Sequence, residues 1–147
     1  MMHPILLILH LLAATIWVGG HLFLALRFLP EALQKKDITI ILNFKDKFEV
    51  IALPSILTLL ISGIAMAYDY GVPFSKWLSF SESIEKIIST KLILIFTTII
   101  LAVFAQLFVF PKANSDRMRP LAIQIILVTL IGVGMLILGS LIHLGGI

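Results

Sequence analysis

Four stretches of about twenty apolar residues, separated by short segments that hold nearly all of the charge, leave this chain few folds to choose from. A hydrocarbon core of about 30 Å is crossed by roughly 20 apolar residues in a helix, and lipid offers the backbone no other hydrogen-bond partners. The 147 residues are 60% hydrophobic and 13% charged, with a mean hydropathy of +1.12, so the spans nearly exhaust the chain. The expectation is an all-α polytopic membrane protein: one domain over residues 1–147, a four-transmembrane-helix bundle. The spans read as His3 to Leu29, ended by Pro30; Phe48 to Tyr70, stopped by Gly71 and Pro73; Ile87 to Phe110, before Pro111; and Pro120 to Leu144, before Gly145 and Gly146. The first apolar segment is too long for a signal core and has no small-residue cleavage site, so it reads as a retained span.

The connections are informative too. "KKDITIILNFKDKF" mixes charge with aliphatic and aromatic residues and predicts an amphipathic helix lying along the interface. "FSKWLSFSESIEKI" predicts a shorter interfacial element anchored by Trp77. The first and third connections carry Arg27, Lys35, Lys36, Lys45, Lys47, Lys112, Arg117 and Arg119, eight cations, against Lys76, Lys86 and Lys91, three, on the other side. Basic residues are retained in the cytoplasm, which places both termini outside a bacterial cytoplasmic membrane. The net charge of +3 is a topology signal and not a nucleic-acid patch. There are no cysteines, which removes thiolate chemistry. Carboxylates are few and unpaired and the serines lack an oriented base, so no hydrolytic enzyme is indicated.

At 100° per residue, His3, His10, Ala14, Trp17 and His21 fall within about 60° on one face of the first helix. Polar groups facing lipid are costly, so this stripe should turn into the bundle. His10 lies about 10 Å deeper than His3, and His21 about 16 Å deeper again, too far apart to share one metal ion. On the second helix Ser55, Ser62, Met66 and Asp69 share a face; on the fourth, Gly132, Leu136, Gly139 and His143 do, with glycines that allow close packing. Spans alternate direction, so His10, Met66 and His143 can meet near the outer surface, with His3 and Asp69 at the rim. A deeper set of His21, Gln106, Gln124 and Thr129 reads by default as groups that hydrogen-bond one another.

Imidazole with thioether suits copper, soft sulfur favouring the cuprous ion. Met1-Met2-His3 also has the spacing of an amine, two peptide nitrogens and an imidazole around copper(II). Two histidines on facing helices equally suit one six-coordinate haem b, and His10 with His143 is the pair at matching depth. Trp17, His21, Asp69, Gln106 and Gln124 would then line a pathway. A third reading is a purely structural subunit whose glycine faces pack against partner helices.

"LHLLAATIWVGGHLFLALRFLPEAL", "KFEVIALPSILTLLISGIAMA", "KLILIFTTIILAVFAQLFVFPKA" and "GVGMLILGSLI" resemble the CopD-like copper resistance family of bacterial membrane proteins across nearly the whole chain. Larger CopD proteins carry additional helices; this chain corresponds to the four-helix portion. The resemblance implies copper binding or transport without enzymatic activity, with His10, Trp17, Gly19 and Gly20 as the matched positions. It also implies the lipid bilayer, a metal ion, and a periplasmic copper carrier or a second copy of the chain as partners. The first-helix histidine followed by an aromatic-glycine run is also similar to the HemJ-type protoporphyrinogen oxidases, which implies a haem b oxidoreductase as the alternative.

Overall fold

The computed structural model describes residues 4–142. Its regular elements are helical throughout: α1 (Pro4–Phe23), α2 (Leu29–Lys35), α3 (Thr39–Asp69), α4 (Ser83–Phe104) and α5 (Arg119–Ile142). Four helical rods are long and apolar enough to cross a membrane, at Pro4–Lys35, Thr39–Asp69, Ser83–Lys112 and Arg119–Ile142. Large apolar side chains such as Ile5, Leu12, Leu53, Phe96 and Leu130 point outward, as lipid requires. Hydroxyls within the spans bond back onto their own helices: Thr58 to the Pro54 carbonyl at 2.9 Å, Thr98 to that of Leu94 at 3.0 Å. Polar atoms are thereby satisfied without leaving the helix.

Pro30 does not end its helix as the sequence suggests, whereas Pro111 does end its own. Both follow a π-helical turn, Leu24–Phe28 before Pro30 and Ala105–Val109 before Pro111; the first rod continues beyond Pro30 to Lys35, and the third closes at Pro111 in a 3-10 turn, Phe110–Lys112. A proline ring collides with the carbonyl four residues back and donates no hydrogen bond; a wider turn makes room for it. The first span therefore runs to Lys35 and stops where Lys36 adopts a left-handed conformation, φ 51°. The expected interfacial helix is likewise the start of the second span. Asp37 accepts from the Thr39 amide at 2.9 Å and hydroxyl at 2.6 Å, and α3 then runs unbroken for 31 residues, through Pro54. Its charges pair along one helix, Lys45 with Glu49 at 3.0 Å, so the segment stands up instead of lying flat.

α1 packs along α3 on one side and α5 on the other, and α5 packs on α4, whereas α3 and α4 meet through side chains with their backbones farther apart. The end carrying the basic connections is filled: Leu24, Leu29, Ala32, Ile41, Ala105, Leu121 and Ile125 form a continuous core. Gly20 admits the Phe48 ring so closely that a Cβ there would overlap it, while Gly19 faces open space. Gly20→Ala is therefore expected to lower the thermal midpoint in detergent by an overpacking cost of about 1–3 kcal/mol, with Gly19→Ala close to neutral. Equal midpoints for the two variants would contradict this contact.

The opposite end is held by one ion pair. Glu85, nearly fully buried, accepts from Lys76 at 2.8 Å and from the Ser79 hydroxyl at 2.7 Å, and Ser89 donates to the Ser79 carbonyl at 2.7 Å. These bonds fix the 71–82 connection and with it Trp77. Trp77 is half-buried and packs beside Ala67, Val72 and Ile88. Hydrogen bonding to Glu85, and then its charge, hold the Lys76 ammonium above its ordinary pKa of 10.5. A raised value in the folded state means that the clamp is intact below 10.5 and is lost as pH climbs through that higher value. Tryptophan emission should stay constant through neutral pH and shift red only in strong alkali. Glu85→Gln should show the shifted emission already at pH 7; an unaltered alkaline transition in that variant would exclude the pair as its cause.

Candidate functional site

Toward the end opposite the basic connections, the bundle is hollow. A cavity of about 490 Å3 opens between the four spans, walled mainly by apolar side chains. That lies within the roughly 300–1,000 Å3 typical of cofactor and small-molecule sites. The glycines on the α5 wall receive side chains, not a neighbouring backbone. A Cβ at Gly132 would stand 3.2 Å from the Trp17 ring, and one at Gly139 would stand 3.0 Å from the Lys91 Nζ.

His10 projects from α1 into this space. Its Nδ1 lies 2.8 Å from the Ser62 hydroxyl oxygen, and Ser62 spends its own proton on the Thr58 carbonyl. With the serine proton so placed the hydroxyl accepts from Nδ1, the tautomer that would leave a lone pair on Nε2, which has no partner among the described residues. Metal-binding histidines are oriented in this way by a partner on the second nitrogen. Gly63 adds to the fit, since a Cβ there would reach within 3.4 Å of the His10 Cε1.

Lys91 is the unexpected member of the site. It sits two turns into α4, lines the same cavity as His10, and makes no hydrogen bond or ion pair with another described residue. An unpaired ammonium within a membrane span is expensive unless something anionic meets it. Its sequence signal was an isolated lysine inside an apolar run, "STKLILIF", which topology counting assigns to the surface. Met135 is a second addition, a thioether on the cavity wall along with Met66. Trp77 also lines it, and its Nε1 is the buried side-chain nitrogen or oxygen without a partner among the described residues.

Of the expected outer set, His10 and Met66 both line this cavity, and Trp17 lines it too. His21 is not: its Nδ1 bonds the Trp17 carbonyl at 2.8 Å and its ring packs edge-on to Phe48. Nor do the deeper polar groups join into one set. Thr129 donates to the His21 backbone carbonyl at 3.2 Å, Gln124 to the Leu101 carbonyl at 2.6 Å, and Gln106 to Glu49 at 3.1 Å. Each answers a local need, because helix faces a turn apart look toward different neighbours. Asp69 is exposed and off the cavity wall. His3 and His143 lie outside the described residues, as does the Met1-Met2-His3 triplet. Among the described residues no three His, Cys, Asp or Glu side chains converge as a metal site. No protein family, curated protein or solved structure matches the chain.

Proposed function

We propose that this chain is a multi-pass protein of the bacterial cytoplasmic membrane that binds haem b in the outer cavity and serves electron transfer or oxidation there. One observation carries the reading: a histidine whose Nε2 has no partner among the described residues, and a lysine likewise without one, share a single large apolar chamber. A haem b has these three needs, a nitrogen for iron, a cation for its carboxylates and apolar walls for the ring. His10 would hold the iron, Lys91 would face a carboxylate, and Trp17, Leu92 and Ile95 would exclude water. Bound haem would supply one-electron redox chemistry at iron. His143 would be the second iron ligand in the pairing read from the sequence.

Copper remains as a second reading because Met66 and Met135 line the cavity with His10, a donor set that suits copper(I). Against it stands Lys91, which raises the cost of placing a cation in the same low-dielectric space. The two readings part on one experiment, in which purified protein is titrated separately with hemin and with copper(I) and followed by absorbance and metal analysis. Saturable haem uptake with a sharp Soret band supports the first, and copper uptake without haem binding overturns it. The eight-to-three distribution of basic residues supports outward-facing termini. Lys91 turned into the cavity and Lys76 paired with Glu85 leave the outer side still poorer in free cations.

A further inference from the structure

At the opposite, basic end a second concavity lies on the outside of the bundle, between α3 and the π turn that ends α1. It is about 490 Å3 in volume and lined by Phe28, Phe44, Phe48 and Ile51, with Asn43 and Lys47 at its edge. The floor is a run of ring contacts, Phe28 to Phe44 at 4.8 Å between centroids and Phe44 to Phe48 at 5.3 Å. α3 fixes its depth. Lys45, Asp46, Lys47 and Glu49 precede an uncharged run over residues 50–68, so Lys47 stands at the boundary between headgroups and hydrocarbon while Ile51 lies inside it.

Charge decides the occupant. Arg27 is paired with Glu31 at 2.9 Å and Lys45 with Glu49 at 3.0 Å, whereas Lys47 makes no ion pair with another described residue. Basic pockets between helices at the cytoplasmic face of a membrane recognise anionic lipid headgroups.

We propose that this groove is a specific site for one anionic phospholipid, its phosphate held by Lys47 and Asn43 and an acyl chain laid along Phe44, Phe48 and Ile51. The site is separate from the cavity and does not depend on what the cavity binds. Lipid in the groove would brace α3 against the first span where the Phe48 ring covers Gly20.

The test is native mass spectrometry of detergent-purified full-length protein given dioleoyl phosphatidylglycerol or dioleoyl phosphatidylcholine in equal amounts. One phosphatidylglycerol should remain bound per chain, in preference to phosphatidylcholine. Lys47→Gln should weaken its retention about fivefold, the effect of one basic residue near a membrane surface. Lys36→Gln, a cation outside the groove, should leave retention unchanged. Phe44→Ala, which shortens the apolar floor, should weaken retention of both lipids; a circular dichroism melt confirms that each variant is folded. Equal retention of the two lipids, or unchanged phosphatidylglycerol binding in folded Lys47→Gln, overturns the proposal. So does full competition by glycerol phosphate, which would make this a site for free phosphate and not for a lipid.

Discussion

His10→Ala is expected to abolish the Soret band of the purified, haem-loaded protein while leaving its helical content intact. No other described residue combines a cavity position with a free imidazole nitrogen, and an iron–nitrogen bond has no substitute in the surrounding leucines and methionines. Ser62→Ala should act through the same ring: with its Nδ1 partner removed, His10 loses its fixed tautomer and orientation, and affinity should fall about 10–100-fold. His21→Ala should keep the spectrum, because that ring is spent on the Trp17 carbonyl and the Phe48 edge. Absorbance titration of the three variants checks the series. A folded His10→Ala protein with an unchanged spectrum, or loss of haem in His21→Ala alone, would move the site to another depth.

Lys91→Met gives the second large effect, and its sign separates the two cofactors. If Lys91 meets a haem carboxylate, removing its charge should weaken haem binding roughly ten- to a hundredfold, the worth of a charge-assisted hydrogen bond of about 1.5–3 kcal/mol. Lys91→Arg should restore much of that loss. A copper site at His10 and Met66 predicts the reverse, because removing a neighbouring positive charge favours a bound cation. Methionine nearly matches the lysine stem in length, so the Gly139 recess stays filled and the fold is retained. Paired haem and copper(I) titrations of the same protein read both signs at once.

The four spans were legible because each is a long, predominantly apolar run, a signal that needs no knowledge of neighbours. The placement of His10 and Met66 on one cavity was legible for a related reason: helical periodicity and alternating direction fix which faces and depths meet. What escaped depends on contacts between helices. Pro30 read as a stop because a regular helix has no room for it, and only the π turn ahead of it reveals the accommodation. Residues 35–48 read as interfacial because their charges look like a water-facing stripe, yet Lys45 and Glu49 neutralise each other along a helix that keeps going. Lys91 was counted as a surface cation because counting ignores direction.

The optical spectrum of the intact protein, purified from cells supplied with haem precursor and compared oxidised and reduced, tests the central claim most directly. The account predicts about one haem b per chain, with a Soret band that shifts on reduction and is lost in His10→Ala. A well-folded protein that carries no haem, takes up none from added hemin, and instead binds copper(I) through His10 and Met66 would contradict it.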